Sequence, residues 1–163
     1  EEQREGIDKT KRLLEREILR LKPQKREAQD VRLYKGIEGI KTVFEDILST
    51  GESYIGYGPG EQIEKVLRLY FKKYIKRRLK KKVRPKLIYN ESARSKRYTS
   101  SPSTECRFLP DEIVSHAALR IYGNKVAIIL FSEHEPLAIV IENKHIADGY
   151  RKYFHVIWNA ARK

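Results

Sequence analysis

The sequence predicts an α/β protein, a mixed sheet flanked by helices and preceded by a coiled-coil helical arm. Three observations predict it. Residues 1–22 carry an apolar stripe repeating every seven residues, and from residue 31 short β-type runs alternate with helical stripes. After residue 104, four apolar runs follow one another with only turn residues between them. Alternating strands and helices call for a sheet covered by helices, and closely spaced strands add an antiparallel meander to it.

The arm comes first. Ile7, Leu14 and Leu21 recur at seven, with Lys11 and Ile18 at the interleaved positions, a coiled-coil seam with one polar member. Three heptads are too few to hold a dimer alone, so the stripe must pack on a partner chain, on the domain, or on both. Pro23 closes this helix, and the polar KPQKREAQD connects it to the rest. The expected division is therefore an arm and connector over 1–30 and an α/β domain over 31–163.

Within the domain, VRLYKG (31–36) reads as a strand. Ile37, Ile40, Phe44, Ile47 and Leu48 give a helical stripe that ends at Thr50-Gly51, glycine being the usual residue just past a helix end. ESYIGYGPG is a strand entering a glycine-rich turn. A long helix follows, with Ile63, Val66, Leu67, Tyr70 and Tyr74 on one face and a basic end, and then the strand VRPKLIYN (83–90). Residues 91–104, ESARSKRYTSSPST, have no periodicity and read as a mobile loop. ECRFLP, VSHAALRIYG, KVAIILF and PLAIVIEN are strands, with Gly123-Asn124 as a hairpin turn. The closing helix starts near Lys144 and places Ile146, Tyr150, Tyr153, Phe154, Ile157, Trp158 and Ala161 on one core-facing side.

Composition narrows the function. No apolar run is long enough to span a bilayer and the N-terminus is charged throughout, so a soluble, cytoplasmic protein without membrane contact is expected. The single Cys106 excludes an intramolecular disulfide and a cysteine-built metal cage, and its ordinary role is a small apolar filler. Charged residues make up 35% of the chain, against roughly 25% in an ordinary soluble protein, and Asn and Gln are few. That is a thermophile's pattern. There is no methionine, so a preceding segment is expected.

The net charge of +13 is concentrated. KKYIKRRLKKKVRPK (72–86) holds ten Lys or Arg and no acid, while the remainder carries 25 basic and 22 acidic residues. A basic block on a nearly neutral body suggests a polyanion as partner, and Lys76, Arg77, Arg78, Lys80, Lys81 and Lys82 are its candidate nucleic-acid contacts. The ordinary alternative is a solvated helix end. Gly58 and Gly60, before a helix whose first N–H groups are free, are candidate ligand-binding positions. They match neither a P-loop nor a dinucleotide fingerprint, and a tight turn needs glycine anyway. His116, His134, His145 and His155 show no metal-ligand spacing, so no metal is expected.

The stretch LYKGIEGIKTVFEDILSTGESYIGYGPG, with KLIYN, RIYGNKVAIILF, PLAIVIEN and YRKYFHVIWNAA, is similar to the TrmB family of archaeal transcription regulators. The resemblance spans residues 1–162. It implies a phospholipase-D-like α/β domain, a dimerising arm, and an N-terminal winged helix-turn-helix absent from this chain. Double-stranded DNA would then be the partner, contacted mainly through that winged helix, with no cofactor and an effector that the sequence leaves unknown. The phospholipase D reaction needs a histidine nucleophile, a phosphate-binding lysine and an acid, spaced H-x-K-x4-D. The resemblance places His116 on the histidine, leaving Ala118 for the lysine and Gly123 for the acid, so no enzyme is expected. His116 is then an ordinary strand residue with a satisfied hydrogen bond. The alternatives are a phosphodiesterase or nuclease of the phospholipase D superfamily, and a stand-alone basic nucleic-acid-binding domain.

Overall fold

The computed structural model describes residues 29–113 and 116–163, so the arm with Ile7, Lys11, Leu14, Ile18 and Leu21 lies outside the described residues. The elements are β1 (Asp30–Lys35), α1 (Gly36–Ser49), β2 (Ile55–Tyr57), α2 (Gly60–Lys80), β3 (Lys86–Asn90), β4 (Glu105–Leu109), β5 (Ala117–Tyr122), β6 (Lys125–Leu130), β7 (Leu137–Glu142) and α3 (Lys144–Ala160). They form one seven-stranded mixed sheet in the order β1-β7-β6-β5-β2-β3-β4. β3 runs parallel to β2 and β4, and every other pairing is antiparallel.

Strand alternation divides the sheet into two apolar faces. Leu87 and Tyr89 of β3, Ala118 and Tyr122 of β5, and Ala127 and Ile129 of β6 face α1 and α2. The residues between them, Ile88, Leu119, Ile121 and Val126, face α3. On the first side Phe44 of α1 meets Tyr74 of α2 edge to face at 5.0 Å, which locks the two helices together over the sheet. On the other, α3 is started by the Asn143 side chain, which accepts from the Ile146 N–H at 3.0 Å. Ala147, Phe154 and Trp158 are its buried line.

Four expectations need correcting. Ile146 and Tyr153 are exposed rather than core-facing. Each stands one residue ahead of a member of the buried line, and 100° of helix rotation carries it to the flank. Residues 91–104 are not structureless, since Glu91–Ala93 and Arg97–Thr99 are single 3-10 turns. The buried Thr99 hydroxyl reaches the carbonyls of Ala93, Arg94 and Lys96 at 2.7–3.1 Å and ties those turns together. α2 is not a continuous helix, because Arg68 has φ 38 and ψ −117 in its middle. Finally, His116 is not a strand residue: it lies exposed in the bend that precedes β5.

Candidate functional site

The parallel strands β2 and β3 end side by side, and α/β folds bind ligands at such strand ends. Gly58 turns the chain out of β2 with φ +129 and donates its N–H to the Ile88 carbonyl at 3.2 Å. A Cβ there would stand 2.5 Å from the Ala118 Cα, so glycine is what lets this turn lie against β5. At Gly60, the first residue of α2, a Cβ would stand 2.2 Å from the Tyr98 ring. Both glycines therefore have packing reasons for being glycine.

They also wall a cavity of ≈ 330 Å³. Around it stand Asn90, Ser92, Lys96, Tyr98, Asp111 and His116, brought from β3, the segment of the 3-10 turns, the turn after β4 and the bend before β5. Asp111 accepts from the Ser92 N–H at 3.1 Å and hydroxyl at 2.8 Å, and Asn90 donates to the Ile113 carbonyl at 2.9 Å. Burial, then the nearby Glu61 and Glu64 carboxylates, pushes the Tyr98 hydroxyl up to about 12, so it is a donor and not a base at neutral pH. A second, apolar cavity of ≈ 420 Å³ shares Gly58, Tyr89 and Asn90 with the first and runs along α3 past Ile157 and Ala160.

The positions counted from His116 fall apart chemically. Ala118 is buried on β5 beneath Gly58, and Gly123 sits in the β5–β6 turn with φ +49. The Gly123 carbonyl accepts from Arg151. Neither residue offers a cation for a phosphate or a carboxylate for an imidazole. Among the described residues, no three His, Cys, Asp or Glu side chains stand where they could hold a metal ion. Cys106 is half-buried, and burial pushes its thiol up to about 11, which fits a filler rather than a nucleophile.

The basic block is divided by the core. Arg78, expected on its surface, is 2% exposed, and its guanidinium donates to Thr104 Oγ1 at 2.6 Å, Ser103 Oγ at 3.0 Å and the Tyr54 hydroxyl at 3.4 Å. It cannot reach a nucleic acid. The reason is helical spacing, since Arg78 follows Leu67 and Tyr74 on the line of α2 that meets the sheet. Arg77 is engaged as well, forking onto both Glu45 oxygens at 2.9 and 2.5 Å and holding that carboxyl below its ordinary value. Lys76, Lys80, Lys81 and Lys82 remain exposed. Lys82 closes the helix in the left-handed conformation (φ 58), with its N–H to the Leu79 carbonyl and the Val83 N–H to that of Arg78, the bond pair of a Schellman cap.

Sequence reasoning missed Lys96, Asp111 and Arg120. Lys96 comes from the stretch without periodicity and Asp111 from the turn after β4. Arg120, 2% exposed, occupies an inward position of an otherwise apolar strand and donates to the carbonyls of Tyr57 at 2.9 Å and Leu119 at 2.8 Å.

No protein-family model matches this sequence, and no curated protein matches it. Solved structures do. The chain is similar to TrmBL2, an archaeal chromatin protein with a novel mode of DNA binding, with TM-score 0.57 and 15% identity over 99% of this chain and 64% of that one. It is also similar to Nuc from Salmonella typhimurium, a phospholipase D family member, with TM-score 0.62 and 18% identity over 83% of this chain and 97% of that one. NucT from Helicobacter pylori gives TM-score 0.60 and 11% identity over 83% and 99% of the two chains. These are likenesses of fold, and they match the TrmB resemblance read from the sequence: a mixed seven-stranded sheet of phospholipase-D-like type with helices on both faces. No described helix is long and apolar enough to cross a membrane.

Proposed function

We propose that this chain is the dimerising, effector-type part of a TrmB-like DNA-binding regulator and carries out no hydrolysis. The observation that carries the reading is the pair Ala118 and Gly123, where a phospholipase-D-type site needs a lysine and an acid. A histidine with no acid to fix its tautomer and no cation beside the phosphate is a poor nucleophile. Similarity to TrmBL2 over 99% of the chain supports the same reading. In it the seam of Ile7, Lys11, Leu14, Ile18 and Leu21 pairs two chains in the cytoplasm. A winged helix on the N-terminal side reads the bases of double-stranded DNA, and the cavity at Gly58 and Gly60 is the place for a small effector. Light scattering is expected to give twice the chain mass, and a monomer at high micromolar concentration would remove the dimer from the proposal.

The central test is enzymatic. Incubated with a phosphodiester such as bis-p-nitrophenyl phosphate, and with plasmid DNA, the chain is expected to release no product above the blank. His116→Ala is expected to behave identically. Turnover that disappears in His116→Ala would replace this reading with that of a phosphodiesterase.

The exposed lysines lead to a second expected result. Neutralising Lys80, Lys81 and Lys82 together leaves folding nearly unchanged, because like charges at a helix end repel and their dipole interaction is worth only tenths of a kcal/mol. DNA affinity is expected to fall about equally for unrelated duplexes. The plot of log affinity against log salt should flatten by up to about 0.9 for each DNA phosphate that the variant no longer neutralises. An unaltered slope in electrophoretic-shift titrations would make these lysines solvating groups only.

A further inference from the structure

α2 and the Arg97–Ser101 segment face each other across a cleft of ≈ 900 Å³, of whose residues the DNA reading uses only Lys76. We infer that this cleft is a docking site for an acidic peptide segment of a partner protein, one that interleaves carboxylates with aliphatic side chains. Charge is the first argument. Arg68, Lys72 and Lys76 line the helix wall and Arg97 the opposite one, against the single carboxylate of Glu64. On a helix, steps of four residues advance about 6 Å along one face, so Lys72 and Lys76 form a stripe rather than a point. Among the described residues none of these four cations is in a salt bridge, whereas neighbouring Lys65 and Arg77 are held by Glu61 and Glu45. Four unneutralised cations in one concavity attract an extended anion.

The floor is the second argument. Leu69 is 70% exposed in this cleft, and Phe71 and Ile75 line it half-buried. An exposed aliphatic side chain among cations offers an apolar contact to an extended anion that carries aliphatic groups of its own. Arg68, beside it, holds a left-handed conformation that a non-glycine residue adopts only at a cost, and such strain collects at binding sites.

A nucleic acid fits less well. A duplex would meet the cations with its phosphates and leave Leu69 unmatched. A single strand gains its affinity by stacking bases on free ring faces. Here Phe71 is stacked on Tyr74 at 6.1 Å, and Tyr98 is packed edge-on against Tyr89 at 5.5 Å. An acidic amphipathic peptide satisfies the cations and the aliphatic floor together, in the manner of a helix or strand laid in a groove.

Fluorescence anisotropy tests this with the 163-residue chain and four labelled probes: a Glu/Leu amphipathic peptide, a poly-Glu peptide of equal length, a single-stranded oligonucleotide and a duplex. The Glu/Leu peptide is expected to bind more tightly than poly-Glu. Lys72→Ala combined with Arg97→Ala should weaken it at least ~10-fold. Leu69→Ser, a surface change that leaves the fold intact, should weaken it several-fold, and Lys80→Ala with Lys81→Ala should have no effect. The DNA reading can fail without touching this result, since the lysines that test it, Lys80, Lys81 and Lys82, lie outside the cleft. Equal binding of poly-Glu with no effect of Leu69→Ser would overturn the proposal in favour of general polyanion attraction. Tighter binding of either oligonucleotide through Lys72 and Arg97 would overturn it in favour of nucleic acid, and no peptide binding by a chain with an intact circular dichroism spectrum would overturn it outright.

Discussion

Gly56→Ala is expected to be among the most damaging single methyl groups that can be added to this chain. Gly56 is the middle residue of β2, paired with Arg120 of β5 on one side and Leu87 of β3 on the other. A Cβ at this position would stand 2.1 Å from the Leu119 carbonyl oxygen and 3.1 Å from Arg120 Cδ and Nη1. The first contact is with backbone at the centre of the sheet, which cannot move without opening the β2–β5 ladder. The second would push the Arg120 guanidinium off the Tyr57 carbonyl. Overpacking that forces backbone apart belongs to the rare losses above about 4 kcal/mol. For a domain of this size that corresponds to a fall in Tm of roughly 10–15 °C. Gly51→Ala provides the contrast. Gly51 has φ +66 with nothing within 4 Å of an added Cβ, so only the left-handed conformation is penalised, at about 1 kcal/mol. Thermal unfolding followed by circular dichroism separates the two, and similar falls for both variants would show that the sheet accommodates the methyl group at position 56.

The parts of the fold that were legible in the sequence are those written as local periodicity. In the α1 stripe Ile40, Phe44, Ile47 and Leu48 are buried as their spacing requires while Ile37, in the first turn, is exposed, and Gly123-Asn124 makes the β5–β6 hairpin. Sheet order was not legible, because alternation identifies a strand without naming its neighbour. β1 opens the domain and lies at the sheet edge beside β7, with three strands between it and β2. The cavity was half legible. Gly58 and Gly60 stand out as a turn, but the Ala118 and Tyr98 contacts that require them are set by tertiary packing. Lys96 and Asp111 reach it from two loops, one on either side of β4, held by hydroxyl and carboxylate bonds to the backbone, and such bonds leave no periodic trace. For Arg78 the signal was present and outweighed. Its place four residues after Tyr74 and eleven after Leu67 marks the buried line, but five neighbouring cations made the segment read as a basic surface.

Arg78 is also where the energetics of the core can be decided by experiment. Two guanidiniums, Arg78 and Arg120, are buried on the α1–α2 side of the sheet, and among the described residues neither has a carboxylate partner. Nearby tyrosines supply no counter-charge. Burial pushes the Tyr74 and Tyr89 hydroxyls well above their ordinary values, so they stay neutral. Arg78 thus trades full hydration for three hydrogen bonds to neutral hydroxyls, and its Nε has no partner. Each such bond contributes on the order of 1–2 kcal/mol, while removing an ion from water costs several. An apolar side chain of similar volume keeps the packing of the arginine stem and removes the desolvation cost. The hydroxyls left behind are not all stranded, since Tyr54 has Tyr74 at 3.5 Å and Ser103 has Ser101 at 2.9 Å. Arg78→Met is therefore expected to match or exceed the parent by up to about 2 kcal/mol. Arg78→Ala, which removes the stem as well, is expected to lose about 2–4 kcal/mol through the cavity it opens. Urea midpoints of the two variants, measured at neutral pH, give the sign directly. If Met lost as much as Ala, the bonds to Tyr54, Ser103 and Thr104 would outweigh the burial of the charge, and this guanidinium would be a stabilising strut between α2 and the segment leading into β4.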